Sequence, residues 1–159
     1  MNVSEPALYF LDASALVKRY HPERGSDVVQ RVFADRNARC LLSDISIIEV
    51  HSAFARRVRM GEITPEDFQA AKAELAADIG SGRLSVEAFG ELDKAEAARL
   101  VERYGLSQEL RTLDAMHVAV MKRVGTSRLQ AVYCADRALC AVLTAEGFTV
   151  VNPEAPPPL

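Results

Sequence analysis

Apolar positions along the chain fall into short runs bounded by turn residues, and they alternate between strand-like blocks and helical spacing. Residues 7–11, Ala-Leu-Tyr-Phe-Leu, form an apolar block that predicts a buried first strand. Asp12-Ala-Ser-Ala follows, with Asp12 or Ser14 placed to cap a short helix ending before His21-Pro22. A helix over roughly 26–36 and a short strand at 40–43 come next, and Asp44 is placed to cap a helix through about Met60 that stops at Gly61. Thr64-Pro65-Glu66-Asp67 supplies a Thr cap, a Pro at the first helical position and an acid three residues after the cap. That helix runs to Gly80-Ser-Gly82, which turns into a strand near 83–87. Helices over about 91–103 and 112–124, a buried strand at 131–134, a helix over 136–146 and a strand over 148–151 complete the pattern.

Strands alternating with helices predict an α/β fold, a central and mostly parallel sheet flanked by helices. The helices between 45 and 80 should stand beside it as an α-hairpin. Residues 1–152 are expected to form one domain. The tail, 153–159, is Pro-rich and expected to extend flexibly into solvent.

Four of these elements carry an acid at a costly place. Asp12 closes the first apolar run, Glu49 follows Ile45-Ser-Ile-Ile, Asp114 opens a mostly apolar helix, and Asp136 ends Ala-Val-Tyr-Cys-Ala. Taking a carboxylate out of water costs several kcal/mol unless it is paired. In parallel sheets ligands collect past the carboxyl ends of strands, where Asp12 and Asp136 lie. If the fold gathers the four, their mutual repulsion calls for a hard divalent cation with oxygen ligands, Mg²⁺ or Mn²⁺. Each acid also has a plainer role. Asp12, Asp136, and Thr112 or Asp114 can cap helices, and Glu49 faces away from the Ile47, Phe54 and Val58 stripe, where a solvated acid would sit.

Composition narrows the picture. With 159 residues, 49% hydrophobic and 26% charged, the chain has the profile of an ordinary globular protein. No apolar run approaches a membrane span and no signal peptide is visible, so membrane association is not expected. Three cysteines without CxxC argue against a disulfide framework or a zinc site, and a cytoplasmic, reduced setting is expected. Removing the four acids from the net charge of −3 leaves +1, so affinity for a polyanion must come from local clusters and bound metal. Lys18, Arg56 and Arg137 lie near three of the acids in sequence, and Arg56 shares the helix face of Glu49. His117 follows Asp114 by three residues. The plainer account of it is a partly buried histidine bonded to a neighbour, so a histidine acid or base is not the favoured chemistry.

Leu11-Asp12-Ala-Ser14-Ala-Leu-Val-Lys18, Ile48-Glu49-Val50, Leu113-Asp114-Ala-Met-His117-Val-Ala and Cys134-Ala-Asp136-Arg137 together resemble the motifs of PIN-domain ribonucleases, and within them the VapC toxins of bacterial toxin–antitoxin pairs. Each motif alone is weak, but four in order at fitting spacings are specific. The resemblance implies a PIN-like fold, Asp12, Glu49, Asp114 and Asp136 as a metal-binding catalytic quartet, and Ser14 as a nearby polar helper. It also implies an RNA substrate cut by metal-assisted hydrolysis to 5′-phosphate and 3′-hydroxyl ends, an antitoxin partner, and commonly a homodimer. The family usually has Thr or Ser where this chain has Cys134, and the weaker thiol donor implies looser support for the metal site. Two other readings compete. An inactive PIN-like module would bind RNA or protein without cutting. An aspartyl phosphatase would need a second Asp where Ser14 stands.

Overall fold

The computed structural model describes residues 5–155. Five strands, β1 (Ala7–Leu11), β2 (Ala38–Ser43), β3 (Leu84–Glu87), β4 (Leu129–Tyr133) and β5 (Val150–Val151), form one sheet in the order β3-β2-β1-β4-β5, with every neighbouring pair parallel. Seven helices cover its faces: α1 (Ala13–Tyr20), α2 (Ser26–Ala34), α3 (Asp44–Arg59), α4 (Pro65–Gly80), α5 (Glu91–Tyr104), α6 (Thr112–Val124) and α7 (Arg137–Ala145). None is long and apolar enough to cross a membrane.

Both sheet faces are buried, which explains why the strands read as apolar blocks. Phe10, Leu41 and Val132 pack with α5, α6 and α7 into one core, while Leu11, Cys40 and Leu42 pack with α1 to α4 into the other. Thr64 and Asp67 form the expected capping box at the start of α4, and α4 packs on α3 as the predicted helical hairpin. The cap of α3 is Ser43, not Asp44, with the Ser43 hydroxyl accepting from Ile45 N. Asp44 instead accepts from its neighbour Ile45 N and from Phe89 N at 3.0 Å, which ties the start of α3 to the loop after β3. A tertiary donor competes there for an acid that sequence assigns to the helix end.

Chain packing continues past residue 152. Pro153 is buried, Glu154 pairs with Lys18, and Arg24 donates to the Glu154 carbonyl. Gly25 makes this approach possible: its φ is +88°, and a Cβ there would stand 2.7 Å from the Pro153 carbonyl oxygen. The rest of the expected flexible tail, 156–159, lies outside the described residues.

Candidate active site

β1 lies between β2 and β4, so the chain reverses its direction of sheet growth there, and the crevice past the ends of β1 and β4 is where such folds place ligands. Asp12 follows β1 directly, and its N–H bonds the Tyr133 carbonyl at 3.0 Å, tying the two strand ends together. Its Oδ2 accepts the Ser14 N–H at 3.0 Å and the Ser14 hydroxyl at 2.6 Å, which caps α1. Ser14 Oγ in turn accepts from Ala135 N at 3.0 Å, so it braces Asp12 against the loop after β4. Cys134 Sγ stands 3.9 Å from the same Oδ2. Asp12 Oδ1 receives no hydrogen bond among the described residues. The carboxylate is buried, and that burial pushes its pKa up against the opposing pull of the His117 charge and the Ser14 hydrogen bonds.

Glu49 is less exposed than its helix wheel implies. The wheel assumes one buried face, yet α3 packs Val50 and Phe54 into the core while Glu49, in its second turn, meets α6. There the Glu49 carboxylate bonds His117 Nε2, and His117 is fully buried. The plainer account of His117 therefore holds as far as the bond goes, but its partner is a site acid. His117 Nδ1 has no hydrogen-bond partner among the described residues. Burial alone would lower the imidazole pKa, yet the Glu49 bond and the charges of Asp12, Glu49 and Asp114 outweigh it and raise the pKa above 6.5.

Asp114 and Asp136 are joined by a residue that sequence reasoning missed. Arg111 precedes α6 and donates Nε–H to Asp114 Oδ2 at 3.0 Å and Nη2–H to Asp136 Oδ2 at 2.8 Å. No side chain caps α6, so neither Thr112 nor Asp114 takes the capping role available to it, and Asp114 is simply a buried acid. Asp136 does cap α7, with Oδ1 accepting from Ala138 N and Leu139 N. The i to i+3 spacing of Arg111 and Asp114 was the one available signal for this contact.

Residues 9–142 match the family model of the PIN domain. This chain belongs to the PIN-domain family. No curated protein matches it in sequence. Among solved structures, VapC20 of Mycobacterium tuberculosis, a sarcin–ricin-loop-cleaving toxin, superposes with a TM-score of 0.68 at 21% identity, over 94% of this chain and 99% of its own. FitAcB from Neisseria gonorrhoeae superposes with a TM-score of 0.62 at 19% identity, over 91% of this chain and 97% of its own. A toxin–antitoxin complex from Klebsiella pneumoniae gives 0.58 at 15%, over 92% of this chain and 97% of that one. At such identities the likeness establishes the shared fold.

The PIN domain here brings ligand atoms of Asp12, Glu49 and His117 within 4.8 Å of one another. Asp114, whose charge also acts on His117, is linked to Asp136 through Arg111. Asp12 Oδ1, Glu49 Oε1 and Asp114 Oδ1 take no hydrogen bond among the described residues, so each acid keeps an oxygen for a cation. Such a set of carboxylate oxygens fits a hard divalent ion, and a neighbouring imidazole nitrogen favours Mn²⁺ more than Mg²⁺. The basic residues divide. Arg56 and Arg137 are exposed and have no carboxylate partner among the described residues. Lys18 is not placed to meet RNA: it is 3% exposed, with Nζ between Glu23 and Glu154.

Proposed function

We propose that this PIN domain is an Mg²⁺- or Mn²⁺-dependent endoribonuclease that acts in the cytoplasm as the toxin of a toxin–antitoxin pair. The observation that carries this reading is the crevice past β1 and β4, where three buried or half-buried carboxylates each keep an oxygen free of protein donors. A divalent ion bound there supplies a water of lowered pKa and neutralises charge developing on the phosphoryl oxygens. The chain's own residues do the rest. Ser14 fixes the Asp12 carboxylate, His117 fixes Glu49, and whichever Oδ1 of Asp12 and Asp114 the ion leaves free would accept the proton of the attacking water. The products would carry 5′-phosphate and 3′-hydroxyl ends.

The antitoxin and homodimer belong to the same proposal. Its support is that solved relatives of this fold include toxin–antitoxin complexes, and that Ile48 and Leu113, each next to a site acid in sequence, are exposed apolar side chains a partner protein would cover. One observation favours the non-cutting module: Arg111 already pairs with two of the four acids. The two readings part in one experiment. Purified chain is incubated with total bacterial RNA in Mg²⁺ or Mn²⁺, and new 5′-phosphate ends are mapped. Cleavage that chelator abolishes, and that Asp12→Asn and Asp114→Asn lower on the order of 10²-fold or more, supports the nuclease. Absence of new ends, or cleavage indifferent to chelator, overturns it.

A further inference from the structure

Asp136 differs from the other three acids in how its oxygens are occupied. Oδ1 accepts two backbone N–H groups, from Ala138 at 2.9 Å and Leu139 at 3.1 Å. Oδ2 accepts from Arg111 at 2.8 Å. A lone pair remains on Oδ2, but a cation placed on it would stand beside the guanidinium charge. The other three acids each retain an oxygen with no donor among the described residues. Asp136 is therefore the acid least suited to hold metal.

Arg111 is built the opposite way. A guanidinium carries five N–H donors in a rigid fork. Two are taken, by Asp114 and Asp136, which leaves three for a ligand. Its side chain is 64% exposed although both anchors are fixed, Asp114 by its burial in the first turn of α6 and Asp136 by the cap of α7. An arginine held on two carboxylates at the mouth of an acidic site, with donors facing outward, is preorganised for an anionic oxygen. In a chain of net charge −3 that anion needs such a receptor to approach four acids.

We propose that Arg111 takes a phosphodiester oxygen of the RNA, and that Asp136 is a positioning residue that anchors Arg111 and does not ligate metal. This rests on the ribonuclease reading above. It assigns the four acids unequal work: Asp12, Glu49 and Asp114 face the cation, and Asp136 acts through the arginine.

The test separates metal from RNA. Mn²⁺ affinity of the metal-free chain is read by electron paramagnetic resonance. RNA affinity is read by fluorescence anisotropy of a fluorescein-labelled 20-nucleotide hairpin with Ca²⁺ in place of Mg²⁺. Arg111→Gln and Asp136→Asn should each hold Mn²⁺ within about twofold of wild type, whereas Asp12→Asn loses about tenfold or more. Both should weaken the hairpin by about tenfold, Arg111→Lys should recover part of that loss, and the Arg111→Gln/Asp136→Asn double variant should bind no more weakly than Arg111→Gln alone. Asn still caps α7, so Asp136→Asn keeps the helix start intact. Mn²⁺ loss in Asp136→Asn equal to that in Asp12→Asn overturns the proposal. So does undiminished hairpin affinity in Arg111→Gln, or additive losses in the double variant. A wild type that cuts no RNA would defeat the nuclease reading, while these two titrations would still decide the role of Arg111.

Discussion

Lys18 offers the sharpest contrast between a contact for RNA and a tie within the fold. It lies on α1 at 3% exposure, with Nζ 3.0 Å from Glu23 Oε1 and 2.6 Å from Glu154 Oε1. Lys18→Met keeps most of the stem and removes the charge. Breaking a buried pair costs about 3–5 kcal/mol when the surviving charge stays buried. Here the survivors are Glu23, 23% exposed and still paired with Arg57, and Glu154, 41% exposed, so both rehydrate in part. The expected loss is then about 1–2 kcal/mol, a fall in Tm of about 2–8 °C for a chain of this size. Thermal unfolding followed by circular dichroism at pH 7 measures it, and hairpin anisotropy at 25 °C should be unchanged. The pH dependence has a definite sign. The Lys18 hydrogen bond, opposed by burial, holds the Glu154 pKa below 4.5. The stability from this pair is thus fully present above 4.5 and fades as pH falls through the lowered value, so the gap between wild type and variant narrows in acid. An unchanged Tm together with weakened RNA binding would refute the structural role and return Lys18 to the RNA surface.

Further outcomes concern the site and its supports. The Glu49 bond and the nearby acids hold the His117 proton more tightly than usual, and a cation at those carboxylates would favour its release, so Mn²⁺ affinity should rise with pH above 6.5; a flat profile over pH 6–8 would count against it. The same raised His117 pKa stabilises the metal-free fold fully below 6.5, and that share is lost as pH rises through the folded value, so His117→Gln should flatten the dependence of Tm on pH in this range. Cys134→Ser replaces a weak thiol donor 3.9 Å from Asp12 Oδ2 with a hydroxyl, and should tighten Mn²⁺ a few-fold, whereas weaker binding would show that the thiol is not the looser support. Gly25→Ala should destabilise by about 1–3 kcal/mol, since it meets both a φ of +88° and the Pro153 carbonyl, and an unchanged Tm would mean residues 153–155 yield freely.

The elements were legible because most carry a local signal: the capping box at Thr64, Gly61 and Gly147 at helix ends, and apolar blocks for β1 and β4. Strand edges were less so. β4 starts at Leu129 and ends at Tyr133, and Cys134 just beyond it still donates its N–H to the Val151 carbonyl at 3.0 Å while its side chain lies beside Asp12. The strand order was not visible at all. Strands buried on both faces carry no side preference, so nothing in Phe10 or Leu41 alone says which helices cover which face.

The acids of the site were legible for an energetic reason, since a carboxylate at the end of an apolar run has to be explained by something. Their partners were not, because pairing across the fold leaves no trace in local pattern. Arg111 lies 25 residues from Asp136, and His117 lies 68 from Glu49. Those partners show how the folded chain tolerates four acids before any cation arrives. Arg111 offsets part of the charge on Asp114 and Asp136. On the other side, Asp12 and His117 retain protons more firmly than they would in water. On the proposed reading a divalent ion brings positive charge to the same carboxylates, so metal binding favours loss of the His117 proton. Release of that proton offsets part of the charge the ion brings, with Arg111 still in place. On that reading the free oxygens of Asp12, Glu49 and Asp114 are left for a cation, and the three unused Arg111 donors are left for the phosphate.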